Sequence, residues 1–203
     1  MRLFGTTTSP FVRRVRVVAA EVGEPVDRVD TATDEGMAQL RSVSPIRKVP
    51  VAIIDERLIY DSRAIIDWLT TTRGWGGGRG RDGGQGRDGI EPPRDRWREQ
   101  NLLNAIDAAL DSVIQLFYLR RDGVSVDGTA YAHRQLERTD AIFAWLAKEL
   151  SPQVFGLPEI SVCCALDWMD FRKTYPTERA SGLEPVRAAL RERPSMVATR
   201  PHA

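Results

Sequence analysis

The chain has 203 residues, a formal net charge of +1, and 42% hydrophobic and 28% charged residues, an ordinary globular composition. That length buries a substantial core in one domain or in two small ones, the near-neutral charge gives no signal for nucleic acid or another polyanion, and no apolar run approaches the ~18 residues of a membrane span. The opening Met1-Arg2-Leu3-Phe4-Gly5 lacks the apolar stretch of a signal peptide, so the mature protein is expected to begin here. The two cysteines, Cys163 and Cys164, are adjacent, which excludes a disulfide framework and fits a reducing, cytoplasmic location; they read as small buried residues of a helix.

In chain order, Arg2 to Gly5 is a short strand, ended by Gly5 and the polar run Thr6-Thr7-Thr8. Pro10 opens a helix whose apolar stripe is Val12, Val15, Ala19 and Val22, backed by Arg13, Arg14, Arg16 and Glu21. Gly23 stops it and Pro25 forbids its continuation. Val26 to Asp30 alternates as a strand does, and a weaker helix spans roughly Asp34 to Val43 before the turn at Ser44-Pro45. Val49 to Ile54 is a short buried strand that turns at Asp55-Glu56-Arg57 into Leu58-Ile59-Tyr60, a hairpin. From Asp61 the spacing is helical again, with Ala64, Ile65, Trp68 and Leu69 on one face. The order is β-α-β-α-β-β-α: the strand–helix–strand units predict parallel pairing and the hairpin adds antiparallel strands, which is the thioredoxin-like arrangement.

Composition changes at Gly74. Nine of the sixteen glycines fall between Gly74 and Gly89, interleaved with Arg79, Arg81, Arg87, Asp82 and Asp88. Residues 74–92 are expected to form a flexible linker, because such a stretch buries too little apolar surface to offset its ordering entropy. Within it, Gly78-Arg79-Gly80-Arg81-Asp82-Gly83 spells G-x-G-x-x-G, but it follows a helix instead of a strand and so lacks the setting of a dinucleotide site. Its interspersed acids and its lack of aromatics beyond Trp75 also weaken a reading as an RNA-binding tract. After Pro92-Pro93 the pattern is helical: about Arg94 to Arg120, Thr129 to Leu150, Pro158 to Tyr175 and Leu183 to Arg193. Residues 93–203 are thus expected to be an all-helical bundle domain after a first domain of residues 1–73.

Three segments resemble the cytosolic glutathione transferase superfamily, in its bacterial Ser-Pro-Phe form. Thr8-Ser9-Pro10-Phe11-Val12-Arg13-Arg14-Val15 is similar to the opening of that family's first helix. Ser44-Pro45-Ile46-Arg47-Lys48-Val49-Pro50-Val51 resembles its "NPxxKVPV" stretch, and Leu58-Ile59-Tyr60-Asp61-Ser62-Arg63-Ala64-Ile65 its "(E/D)S" turn. The likeness is close over the first seventy residues and looser beyond, where Gly156-Leu157-Pro158-Glu159 replaces the family's Ser/Thr-x-x-Asp capping box and Met196 to Pro201 looks like its ending.

The resemblance implies a glutathione transferase with glutathione as co-substrate, no metal, and Ser9 as the catalytic hydroxyl that stabilises the thiolate. Read from the residues alone, Ser9 ahead of Pro10 is equally an ordinary helix N-cap. Thr7 and Thr8 are fallback donors. With serine where the redox branches of this fold carry cysteine, the implied reaction is addition or substitution by the thiolate, not disulfide reduction. The resemblance further implies a cis peptide at Val49-Pro50, which offers Val49 backbone groups to the cysteinyl part of glutathione, and a γ-glutamyl subsite at Asp61 and Ser62; by residue type alone these two are another helix cap. Lys48 is a candidate for the glycyl carboxylate or a plain surface lysine, and Phe11 a wall of the electrophile pocket or a packing residue. Phe117 and Tyr118 would line that pocket further. The family's homodimer would bring Asp107 toward the partner's glutathione, although a solvated charge is the simpler reading; His133 and His202 are too isolated for a metal or a triad. Glutathione-dependent isomerisation or dehalogenation, and a non-catalytic binding module, stand as alternatives.

Overall fold

A computed structural model describes residues 1–76 and 89–202. Most of the Gly/Arg-rich tract, including its G-x-G-x-x-G run, lies outside the described residues. The chain divides into two compact units: the segment up to Pro92 together with the segment from Glu192 onward, and Pro93–Arg191.

The first unit is a mixed sheet with helices on both faces. Its strands are β1 (Arg2–Phe4), β2 (Asp27–Val29), β3 (Val51–Ile54) and β4 (Arg57–Ile59), in the order β2-β1-β3-β4. β1 pairs with β2 in parallel and with β3 antiparallel, and β3–β4 is the hairpin. Asp55 and Glu56 make its turn with φ of 46° and 62°, the two left-handed residues that a tight hairpin turn of matching twist requires. The helices are α1 (Pro10–Glu21), α2 (Asp34–Val43) and α3 (Ser62–Arg73). Strand alternation sorts the core. Phe4 and Val51, register partners, bury one face with Leu40 of α2, and Val29, Met37 and Ile53 pack around them. Leu3 and Ala52, the next partners, point to the opposite face and are fully buried; α1 and α3 pack against each other, and α3 also against β3. Each of these three helices has an oxygen cap: Ser9 for α1, Thr33 for α2 and Asp61 for α3.

The expected polar backing of α1 is corrected by the structure. Arg13 and Arg14 are 2% and 3% exposed, as buried as the valines around them. Val12, Val15, Val17, Val18 and Ala19 are all buried, so apolar residues surround most of the helix axis and leave the two arginines no solvated arc. The last helix of the chain, α8 (Pro194–Ala198; α4 to α7 belong to the second unit), packs on α1 in this same unit.

The second unit is helical: α4 (Arg96–Arg121), α5 (Ala130–Glu149), α6 (Leu157–Arg172), a 3-10 segment over Thr177–Leu183, and α7 (Glu184–Leu190). α4 reaches a mean hydropathy of 1.4 over its most apolar window, enough by length and composition to cross a membrane. It packs against α5 and α6, with Leu102, Leu103, Ile106, Leu110 and Leu116 buried, as a core helix does. Cys163 and Cys164 are buried in α6, free of any disulfide. The single helix expected over Leu183 to Arg193 is shorter, beginning with Pro185 in its first turn, and α6 stops at Lys173, whose φ of 52° is left-handed. At the start of α6, Gly156 gives no side-chain cap; Glu159 curls back so that its Oε2 lies 2.8 Å from where a Cβ on Gly156 would sit. Tyr175 donates to Asp140 at 2.6 Å and ties the segment after α6 to α5; burial, and then Asp140, push its phenol above the usual range.

Candidate functional site

Topology gathers three loops at one end of the sheet. Phe4, the end of β1, lies opposite Val51, the start of β3, and Ile59, the end of β4, lies opposite Ala52. The chain therefore leaves β1 toward Ser9, enters β3 from Val49-Pro50, and leaves β4 toward Asp61-Ser62, all at the same end. The three stretches singled out in the sequence converge here.

Ser9 is half-buried and extended (φ −69°, ψ 126°), and its Oγ accepts the Val12 N–H at 3.3 Å. A hydroxyl has one proton and two lone pairs. Capping uses a lone pair, so the proton remains available to an anion held at the positive end of α1. The neighbouring threonines are differently engaged: Thr7 Oγ1 donates to the His202 carbonyl at 2.8 Å, and the Thr6 and Thr8 hydroxyls lie 3.3 Å apart.

The Val49–Pro50 peptide is cis, as is Tyr60–Asp61. Pro50 is buried and Val49 packs against the Phe4–Leu40–Val51 cluster, whereas Lys48 is exposed. Asp61 is exposed, and its Oδ1 accepts from the N–H groups of Arg63 (2.8 Å) and Ala64 (3.4 Å). Ser62 begins α3 and is 2% exposed.

Sequence reasoning missed the group beneath Ser62. Arg14 donates to Ser62 Oγ from Nε at 3.1 Å and from Nη2 at 2.7 Å, and its guanidinium sits 5.0 Å over the ring of the half-buried Phe11. Phe11, Arg14 and Ser62 thus form one contact chain from α1 to α3. With both acceptor sites of its oxygen taken by a cation, the Ser62 hydroxyl is left to donate. A buried guanidinium needs such partners, because desolvating it alone costs several kcal/mol. The available signal was the apolar crowding around Arg14 on α1.

Asp107 is half-buried on α4, Tyr118 is exposed near the end of that helix, and Phe117 packs edge-on to Trp168. His133 and His202 are exposed. Among the described residues no group of three or more His, Cys, Asp or Glu stands together as a metal site.

Residues 3–78 match the family described as "Glutathione S-transferase, N-terminal domain". The uncharacterized GST-like protein YibF of Escherichia coli (strain K12) is 27% identical over 182 residues, 87% of this chain and 85% of its own. Among solved structures, a glutathione transferase family member of Pseudomonas fluorescens Pf-5 with bound glutathione is 27% identical, with a TM-score of 0.78 over 100% of this chain and 99% of its own. A glutathione S-transferase of Methylobacillus flagellatus KT, also with glutathione bound, is 25% identical, with a TM-score of 0.76 over 99% of both chains.

Proposed function

The chain belongs to the glutathione transferase superfamily, and on that premise we propose that it binds glutathione and activates the thiol for attack on a small electrophile. The observation that carries this reading is the state of Ser9: its oxygen is held by the Val12 N–H while its proton is left for a thiolate at the start of α1. Each unit removed from the thiol pKa corresponds to ~1.4 kcal/mol of preferential binding of the anion. The thiolate sulfur then forms a bond to the electrophilic carbon, and the leaving group, or the electron pair of an activated double bond, takes the displaced charge. Ser9 has no sulfur with which to form a mixed disulfide.

The remaining roles follow the geometry at that end of the sheet. Val49, ahead of Pro50, pairs its backbone with the cysteinyl part of the tripeptide as an added strand would. Ser62, through its hydroxyl and its own N–H at the start of α3, holds the γ-glutamyl carboxylate, with Arg14 behind Ser62 supplying positive charge. Asp61 pairs with the γ-glutamyl ammonium, Lys48 with the glycyl carboxylate, and Phe11 positions Arg14 through its ring. Two similar structures that hold glutathione support the co-substrate. The same family membership supports a soluble cytosolic homodimer.

The test is a titration of glutathione bound to the purified protein, followed by turnover with a panel of electrophiles that includes isomerisable and halogenated substrates. A bound thiol titrating at least one unit below free glutathione, with conjugation that follows the thiolate fraction, is the expected result. Glutathione bound with an unshifted thiol, and no turnover on any electrophile, would leave a binding module instead.

A further inference from the structure

The loop that carries Ser9 is held from both sides by one short piece of chain far away in sequence. Two residues before Ser9, Thr7 Oγ1 donates to the His202 carbonyl at 2.8 Å. Four residues after it, Arg13, whose own N–H bonds to the Ser9 carbonyl at 2.9 Å, sends its buried guanidinium to the Met196 carbonyl (3.2 Å) and to Thr199 Oγ1 (3.4 Å). Arg16, one turn on, reaches the Ala198 carbonyl at 3.4 Å. Met196 to His202 therefore brackets the turn Thr7-Thr8-Ser9 and the first turn of α1.

The bracket is anchored at its other end as well. Glu21, the last residue of α1, takes two bonds from Arg193 at 3.0 Å each and a third from the Ser195 hydroxyl. α8 runs antiparallel to α1, with cations of α1 at its carbonyl end and an anion of α1 at its amide end. Both placements suit the charge at the ends of a helix. A five-residue helix has little stability of its own, so its position is set by α1, and the tail can in turn hold the loop through Thr7 and Arg13.

We infer that the tail Met196–His202 positions Ser9, with Thr7 as the positioning residue that couples the loop to it. This rests on the reading of Ser9 as the hydroxyl that faces the thiolate. The Ser9 Oγ position depends on the loop's path, and a hydrogen bond to a thiolate weakens with small misplacement. The γ-glutamyl end is held instead from α3, by Ser62, and is not bracketed by the tail. Loosening the tail should consequently harm thiol activation more than tripeptide binding.

The test uses the full protein with Thr7→Val, which keeps shape and loses the donor, with Thr7→Ser, which keeps the donor, and with a chain shortened by residues 201–203, which loses the acceptor. Thr7→Val and the shortened chain should each raise the bound thiol's pKa, moving the pH–rate profile upward, and lower kcat at neutral pH roughly threefold or more while glutathione affinity stays within about twofold. Thr7→Ser should match the parent. Combining Thr7→Val with the shortened tail should add almost nothing, since both remove the same bond. Amide hydrogen exchange over Gly5 to Val12, which needs no glutathione, should quicken in the same variants. A parent protein that never lowers the thiol pKa would sink the transferase reading, and with it the role of this bracket. A parent that does so, with folded variants showing its pH profile and its exchange rates, would overturn the bracket alone.

Discussion

Removing the Ser62 hydroxyl examines a buried polar link between α1 and α3. In the native protein its oxygen accepts two hydrogen bonds from Arg14, at 3.1 and 2.7 Å, and both residues are within 3% of complete burial. A hydrogen bond to a charged group contributes about 1.5–3 kcal/mol, and two bonds that share one oxygen do not add fully. Ser62→Ala should therefore cost about 2–3 kcal/mol, which for a chain of this length lowers Tm by roughly 5–10 °C. Arg14→Met keeps the aliphatic stem on Phe11 and removes the charge, so the double variant should be less destabilised than the sum of the singles by about 1–2 kcal/mol. Thermal and urea denaturation of the four proteins give that coupling. Calorimetric titration with glutathione adds the second arm: if Arg14 supplies charge behind Ser62, Arg14→Met should weaken glutathione at least tenfold, and more than it weakens an analogue lacking the γ-glutamyl carboxylate. Singles that add within about 0.5 kcal/mol, together with unchanged glutathione affinity in Arg14→Met, would refute both the link and its part in the site.

Ser9→Ala should lose about 1 kcal/mol or less of stability, since the cap bond at 3.3 Å is long, yet raise the bound thiol's pKa by about one unit or more and cut conjugation correspondingly; wild-type turnover per folded molecule would take Ser9 out of the mechanism. Ser9→Cys should gain thiol-transferase activity, because a thiol at this helix start has its pKa lowered and can form a mixed disulfide with glutathione, which mass spectrometry would detect. Gly156→Ser alone should leave stability almost unchanged, because Glu159 must withdraw from the space the new Cβ takes; with Glu159→Asp it should raise stability by about 1 kcal/mol by completing the capping box, as read from thermal melts. For Glu24, burial raises the carboxyl pKa, but the Arg73 hydrogen bond and the N-terminal ammonium outweigh it and the net shift is downward. Its stabilisation is thus present above the usual carboxylate range and fades as pH falls through the lowered value; Glu24→Gln should flatten that acid limb by no more than about 1 kcal/mol, as befits a pair open to screening. Sedimentation at micromolar concentration should show a dimer, a state that would cover the side chain of Trp97, now 75% exposed at the start of α4.

The order of strands and helices in the first unit was legible because each short apolar run ends at a residue with a plain physical role: Gly5 after β1, Gly23 and Pro25 after α1, Ser44-Pro45 after α2. The convergence of Ser9, Val49-Pro50 and Asp61-Ser62 was legible as well, through motif likeness and not through periodicity. What the pattern concealed lies in α1. A run of three arginines among valines looks like an amphipathic helix when charge is taken as a sign of exposure, and a guanidinium buried against Ser62 or against the carbonyls of α8 has the same letter as one in water. The side-chain hydrogen bonds described for Arg13 and Arg14 reach residues 48 to 186 positions away, a distance at which no local spacing carries a signal. The end of the chain was hidden for a related reason: the helix expected over Leu183 to Arg193 is only the short α7, and Pro194 just beyond it starts α8 in the other unit.

That the sheet-bearing unit is assembled from two separated stretches of chain has a consequence for biosynthesis. The residues from Pro93 to Arg191 leave the ribosome before the segment that packs on α1 does. At about 5–20 residues per second, a nascent chain spends roughly 5–20 seconds with every strand of the sheet already made and the arginine face of α1 still waiting for its carbonyls. During that interval Arg13 and Arg16 must stay hydrated, so α1 cannot settle into its final burial, and only the helical unit is free to complete itself in order of synthesis. The segment translated after the helical unit is thereby the one that lets the sheet-bearing unit finish folding.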